Sequence, residues 1–394
     1  MKSSDRRLTL GRSSSRGARA RRVALGAAMS TVVLAVALGG NGASAVPTAD
    51  SPGVAAAKRQ LASSSTIPLT IPKPMLAAPL PKAPPKGKKA FNIGFPSANG
   101  ARIANAWKAA VTALGWEANL LTWAAPSDGP GLVRQAIAQG ANYISYSAIS
   151  YTVMAPAIAE AAAAGIPVFE TFDLEAPKGA VNNLYSNTGG TEQYINKGKL
   201  MADWVIVNSK GNANTLLVNL PQYGTITVLG DSFRAEYAKN CPRCALDTLN
   251  VTSADAVNGN LVKNSVAYLR SHPAVNNIVF ARGTDAIPFP PAAVNAGITL
   301  GNNGVVISSG TPDDGNLKLI ANGTQGAAIA FPLEQSAWMT VDAMARHSVG
   351  SSLVPNWKST VPQYVQTQKN TTATTPLFSG PTNFTGQFLS LIHI

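Results

Sequence analysis

Two cysteines are the residues whose spacing could most directly do covalent chemistry. Cys241-Pro242-Arg243-Cys244 is the only cysteine pair in the 394-residue chain. In a secreted chain, two thiols three residues apart form a small disulfide at a turn. The same spacing at the amino end of a helix following a strand would make a redox dithiol, because that position favours the thiolate. Here the pair follows an expected helix, Phe233 to Lys239, so a disulfide fits better. A zinc site would need further ligands, and neither a second cysteine pair nor a close histidine is present. No metal and no cofactor is expected.

Gly230-Asp231-Ser232 follows the apolar Ile226, Val228 and Leu229 and resembles the first motif of GDS-type esterases. There the serine is a nucleophile and needs a histidine base held by an aspartate. Those enzymes carry the motif near the start of the domain and an Asp-x-x-His near its end. In this chain the motif is mid-sequence, and His347 lies five residues after Asp342 rather than three. His272 sits in Ser271-His272-Pro273, a helix-end turn. A helix start capped by Asp231 or Ser232 explains the triplet without chemistry. No Gly-x-Ser-x-Gly, Gly-x-x-x-x-Gly-Lys or His-Glu-x-x-His occurs, and the chain holds three histidines in all. An enzyme is not indicated, and catalytic residues are expected to be none.

The elements that would position a site alternate regularly. Leu132 to Gln139 is apolar at helical spacing and stops at Gly140, a helix C-terminal residue. Tyr143 to Ser147 reads as a strand, Met154 to Ala164 as an alanine-rich helix, and Ile166 to Thr171 as a buried strand. Strands apolar throughout with helices between them mean βαβ crossovers and a parallel sheet covered on both faces. Upstream, Lys89 to Phe95 and Glu117 to Trp123 read as strands and Arg102 to Leu114 as a helix. Downstream, strands are expected near 213–220, 246–252, 277–281, 304–308 and 325–331. Helices are expected over 194–207, 233–239, 256–271, 288–295, 316–322 and 334–347. In such sheets ligands sit at the carboxyl ends of the strands.

The stretch AQGANYISYSAISYTVMAPAIAEAAAAGIPVFETFD resembles the first lobe of type I periplasmic (solute-) binding proteins of the sugar-type, ribose-binding-protein-like class. LRSHPAVNNIVFARGTDAI, GVVISSGTPDDGNLKLIANGTQGAAIAF and LEQSAWMTVDAM match that family's second half in order and spacing, so the resemblance covers about residues 88 to 367. It implies an α/β fold of two Rossmann-like lobes with parallel sheets joined by a three-strand hinge. The lobes would be 88–187 plus 331–361 and 188–330 plus 362–368. Crossings near Asn187, Phe331 and Val361 would let them close on a ligand. It also implies a small-molecule ligand, an ABC permease as membrane partner and no covalent chemistry. The chain is expected to be a monomer.

Carried over position by position, the family's polyol-binding groups are mostly replaced. Ser97 and Asn99 match, but the stacking aromatics after them become Gly100 and Ala101. The aspartate after Ile-Pro-Val falls on Phe172, with Asp173 one place on, and the arginine before the second-lobe helix falls near Leu229. The Asn-Asp pair becomes Arg282-Gly283-Thr284-Asp285. A further aspartate becomes Ser309, and the return-strand glutamine becomes Phe331. A site built to hydrogen-bond hydroxyls leaves polar groups unpaired when a ligand lacks them. Trp123, Tyr146, Phe172, Tyr223 and Phe331 offer apolar and stacking surface instead, with Ser147, Asn187 and Arg282 among the polar groups. The expected ligand is less hydroxylated than a free sugar, aromatic or partly apolar, and anionic if Arg282 faces it. Two alternatives stay open: a ligand sensor docking on a membrane receptor, and a secreted esterase using Ser232.

The amino terminus reads as a signal peptide over 1–45. Arg6, Arg7, Arg12, Arg16, Arg19, Arg21 and Arg22 precede the apolar run Val23 to Leu38, and Ala43-Ser44-Ala45 supplies the small residues for cleavage. Arg21-Arg22 leaves twin-arginine export as a lesser option, and no cysteine lies near the cleavage site for lipidation. Residues 46–87, rich in Pro, Ala, Ser and Lys, read as a semi-extended linker. Residues 369–394 read as an irregular tail, with the abruptly apolar LSLIHI left open as either native or an artefact and nothing based on His393. Fifteen of the 32 Lys and Arg and two of the 19 acids fall within residues 1–89, leaving seventeen of each sign beyond. The folded part therefore carries no electrostatic footprint for nucleic acid. The location is expected to be secreted or extracytoplasmic.

Overall fold

In the computed structural model, residues 50–73, 76, 78–172, 183–186, 190–353 and 361–391 are described. The described chain opens with helix α1 (Pro52–Ala62), where Ser51 caps the Val54 amide and Pro52 takes a first-turn position. Then β1 (Lys89–Gly94), α2 (Ala98–Ala113), β2 (Glu117–Thr122), α3 (Gly129–Ala138), β3 (Tyr143–Ser147), α4 (Tyr151–Ala163), β4 (Val168–Thr171) and β5 (Leu184–Tyr185) follow. Their strands form a wholly parallel sheet in the order β2-β1-β3-β4-β5.

The chain continues through α5 (Thr191–Asn208), β6 (Asn214–Asn219), α6 (Gly224–Asn240), β7 (Ala245–Asn250), α7 (Ser253–Val257), α8 (Asn260–Ser271) and β8 (Asn277–Phe280). After these come α9 (Gly283–Ala286), α10 (Phe289–Asn295), β9 (Val306–Ser309), α11 (Asp314–Ala321), β10 (Gln325–Ala330), α12 (Leu333–Ser348), β11 (Tyr364–Thr367) and α13 (Phe384–Leu391). The second sheet runs β11-β10-β9-β8-β6-β7, parallel except that β11 lies antiparallel on β10. The first five strands of each unit thus repeat one winding, in which the first strand lies between the second and the third. The crevice outside such a strand, where the winding reverses, is where doubly wound sheets take ligands.

The burial patterns explain the parallel sheets. β3, β4 and β8 are buried at every position, as strands covered on both faces must be. Trp107, Ala110 and Val111 of α2 and Ala337, Val341 and Met344 of α12 pack on one face of the first sheet. Val133 of α3 and Met154, Ala157, Ile158 and Ala161 of α4 cover the other.

Three expectations need correction. Residues 46–87 are not all linker. Val54, Ala57 and Leu61 of α1 share one face and bury against α5 and α6. Farther on, Ile71 and Leu80 enter the core beside α2 and α12. The tail is not irregular throughout either: Phe384, Phe388 and Leu391 of α13 are buried in that same core, so the apolar segment belongs to the fold through Leu391. The two segments meet, with the Leu80 amide donating to the Leu391 carbonyl at 2.8 Å and the Ile71 amide to Gln387 Oε1 at 2.8 Å. Lastly, the helix expected over 256–271 is two, broken where Gly259 takes φ +80°. Because Phe388 is buried and stacks on Trp338 with ring centres 6.3 Å apart, Phe388→Ala should cost about 3–5 kcal/mol in urea unfolding. Full stability in that variant would mean α13 is only loosely attached. The expected signal sequence, Asp173 and Asn187 lie outside the described residues.

Candidate functional site

Between the carboxyl ends of the two sheets lies a cavity of about 390 Å³, a size that suits a small ligand. Residues just beyond the strand ends form its walls. One wall holds Phe95, Ser97 and Asn99 after β1, Trp123 after β2, Ala148 after β3 and Phe172 after β4. The opposite wall holds Tyr223 after β6, Ser253 and Val257 of α7, Ala281 to Thr284 after β8, Thr311 after β9 and Phe331 after β10.

Among the described residues, six aromatic residues line the cavity. Phe95 and Trp123 lie 6.2 Å apart, centre to centre. Phe172 meets Phe331 edge-on at 5.6 Å, and Tyr194 of α5 stacks flat on Phe331 at 6.3 Å. Two lining residues hold positive φ without being glycine, Ala148 at +60° and Phe172 at +66°. A bulky side chain in the left-handed region stores on the order of 1–3 kcal/mol, and such strain gathers at binding sites. Here it turns the chain sharply off the ends of β3 and β4, leaving the Phe172 ring on the cavity wall.

Polar side chains on the walls include Ser97, Asn99, Thr225, Ser253, Arg282, Thr284 and Thr311. Ser97 is largely structural, its Oγ accepting from the Gly100 amide at 3.0 Å to cap α2. Asn99 accepts from Arg102 at 3.3 Å. Arg282 holds Asp285 in a fork, Nε to Oδ2 at 2.9 Å and the second nitrogen to Oδ1 at 2.7 Å, and lies over the Tyr223 ring. Burial lowers the Arg282 pKa, but the bonds and charge of Asp285 outweigh it and hold the group above its ordinary value. Its charge is therefore answered inside the protein, and an anionic ligand gains little from it.

Lys197 is different. It projects from α5 into the cavity and is 6% exposed. Its ammonium donates to the Thr311 hydroxyl and lies 6.0 Å from the centre of the Phe331 ring. Among the described residues no carboxylate reaches it. Burial pushes its pKa down to about 7.

Of the residues expected at the site, the cavity brings together Ser97, Asn99, Trp123, Phe172, Tyr223, Arg282 and Phe331. Tyr146 and Ser147 do not line it: both are fully buried in β3, Tyr146 among the side chains under α3 and α4. Inward and cleftward positions alternate only one residue apart at a strand end, which sequence alone does not fix. Asp285 stands behind Arg282 as its partner. Ser309 is buried in an internal network, donating to the Gly310 carbonyl at 3.2 Å and accepting from Gln325 Nε2 at 2.9 Å. Lys197, Tyr194 and Thr311 escaped the sequence reading. Lys197 stands in Asn196-Lys197-Gly198-Lys199, where nothing in the sequence sets it apart from a solvated lysine.

The serine motif fares differently. Gly230-Asp231-Ser232 lies inside α6, not at a helix start, because α5 and α6 pack so closely at Gly198 that a Cβ there would sit 2.3 Å from the Leu229 carbonyl oxygen. That packing overrides the strand-like Ile226 to Leu229. Ser232 Oγ donates to the Ile195 carbonyl at 2.7 Å. His347 is enclosed by the rings of Tyr143, Phe169 and Tyr185 in the other unit, where burial lowers its pKa, and His272 stacks on Tyr268. Neither histidine is placed to activate Ser232.

The model of the periplasmic binding protein domain family matches residues 92–352. The chain belongs to the periplasmic binding protein family. Solved structures agree in fold. A glucose-galactose binding protein from Geobacillus stearothermophilus aligns with TM-score 0.62 and 16% identity over 73% of this chain and 99% of its own. A 5-methylthioribose transporter solute binding protein from Thermotoga lettingae gives 0.61 and 17%, over 73% and 89%. A sugar-binding protein of a sugar ABC transporter from Bacillus halodurans gives 0.59 and 17%, over 72% and 98%. A search of curated protein sequences finds no match. No helix among the described residues of this periplasmic binding protein is long and apolar enough to cross a membrane.

Proposed function

We propose that this protein is an exported solute receptor that closes on a small, ring-bearing, sparsely hydroxylated molecule and hands it to an ABC permease. The observation that carries the reading is the cavity's aromatic lining, in which Phe95, Trp123, Phe172 and Phe331 stand at the strand ends and Tyr194 on α5. Rings and apolar walls bind by area and stacking. Ser97 and Arg282, which a polyol would otherwise engage, are already bonded within the protein. One structural relative is described in complex with 5-methylthioribose. A thioether in place of a hydroxyl is the direction of change this cavity favours. The lobes would be 88–187 plus 331–361 and 188–330 plus 362–368. They would hinge near Asn187, Phe331 and Val361, after removal of a signal peptide over 1–45. Cys241 and Cys244, whose Cα atoms lie 5.3 Å apart, would be joined as a disulfide in that oxidising compartment. Intact mass with and without reduction before alkylation reports that bond.

The test is a thermal-shift screen of residues 46–394 against sugars, amino acids, nucleosides and ring compounds. Binding to the native state raises the melting temperature by mass action. A shift confined to ring compounds is the expected result; a shift confined to free pentoses or hexoses contradicts it. Ser232→Ala should leave that shift unchanged and cost only about 1 kcal/mol of stability for one lost hydrogen bond. Ester hydrolysis abolished by that variant would instead favour an enzyme.

A further inference from the structure

The cavity holds one cation whose charge the described protein leaves unanswered. Lys197 enters from α5 at 6% exposure, with the Thr311 hydroxyl and the Phe331 face as its described partners. An ammonium buried without a counter-ion is costly, and the cost is relieved by losing the proton or by gaining an anion. The second cation on the wall, Arg282, is forked to Asp285 and does not compete. One donor on the wall lacks an acceptor among the described residues: the indole Nε1 of Trp123, 6% exposed.

The geometry points to a ligand class: we infer that the cleft selects ring carboxylates, with Lys197 Nζ as counter-ion, Thr311 Oγ1 as neighbouring donor, and the body of the ligand against Phe331, Phe172 and Tyr194. This rests on the solute-receptor reading and deepens it. A carboxylate presents two oxygens to two adjacent donors, and one ammonium balances one negative charge. Among the described residues, the titratable and charged groups at the cavity are Tyr194 from the same helix, Tyr223, and the Arg282–Asp285 pair. Around Lys197, the loop after β9 contributes Thr311 and Gly310, and the end of β10 contributes Phe331.

Such a pairing has a pH signature. The free ammonium's pKa is about 7, and a bound carboxylate raises it, so binding takes up a proton above that pH. The Kd should therefore hold below pH 7 and weaken by roughly thirtyfold between pH 6 and pH 8.5. The probes are benzoate, phenylacetate and cyclohexanecarboxylate, each paired with its neutral alcohol and titrated by calorimetry at those two pH values. The expected result is acid over alcohol by at least about tenfold at pH 6, lost in Lys197→Met and weakened in Thr311→Val. Both variants should retain the wild-type melting cooperativity. Alcohols binding as well as acids, with no pH dependence, would overturn the carboxylate inference while leaving the ring-binding receptor intact. Acid preference surviving in a well-folded Lys197→Met would overturn the role of Lys197. If ring acids and ring alcohols both fail while free sugars bind, the receptor's proposed ligand class and this inference fall together.

Discussion

Lys197→Met is expected to make the ligand-free protein more stable, not less. The unfolded lysine titrates near its ordinary value of 10.5, while the folded one is pushed down to about 7 by burial. Between those values the unfolded state binds more protons, so this group's contribution to stability rises with pH across that window. Below pH 7 the penalty of holding the buried charge is at its full size, at most about 5 kcal/mol, and near pH 9 about 2 kcal/mol remains. Methionine fills a similar volume without the charge. The gap between the variant and the wild type, from urea denaturation at pH 6 and pH 9, should therefore be large and shrink as pH rises. A Lys197→Met protein no more stable than wild type at pH 6 would mean the ammonium already has a counter-ion within the chain. Sites that hold strain or unanswered charge before the ligand arrives are a common source of lost stability.

The second large effect concerns what fastens the chain's start to its core. Arg346 and Asp342 of α12 form an ion pair at 2.8 Å with side chains 1% and 2% exposed. Arg346 also donates to the Ala78 carbonyl at 2.8 Å, tying the segment between α1 and β1 to α12. Asp342→Asn keeps the shape and leaves the guanidinium buried without its counter-charge, a loss of about 3–5 kcal/mol. Combining Asp342→Leu with Arg346→Met should recover much of that loss, since an apolar pair of similar volume is often tolerated. Urea unfolding of Asp342→Leu, Arg346→Met and their combination closes the cycle. An Asp342→Asn protein losing less than about 1 kcal/mol would show the pair to be wetter than its exposure implies.

The alternation of apolar strands and helices from Lys89 onward made the doubly wound units legible, since period and length are local properties. β3 lies where its Tyr-Ile-Ser-Tyr-Ser run places it, and α4 where its alanines do. The cavity's aromatic character was legible at Trp123, Phe172, Tyr223 and Phe331 because strand-end position alone puts a residue near the cleft. Tyr146 and Ser309 sit close to the same strand ends but face inward, and that choice depends on sheet twist and neighbours. Lys197 was hidden for another reason: helical lysines are ordinarily solvated. Only the packing of α5 against α6 through Gly198 and the return of β10 beside it bury this one. α1 was hidden because Ala57 carries little hydrophobic weight between Val54 and Leu61, although Ser51-Pro52 did mark a helix start.

Recognition of a ring-bearing ligand by this cavity is tested most directly by calorimetry, at several temperatures, of the ring compound that gives the largest thermal shift. Wild type is compared with Trp123→Leu and Phe331→Leu. The expected result is a negative heat-capacity change, the mark of apolar burial, and an affinity weakened by about tenfold in either variant as ring stacking is lost. Unchanged affinity in both variants, with their folding intact, would place the ligand outside this cavity and contradict ring-based recognition there.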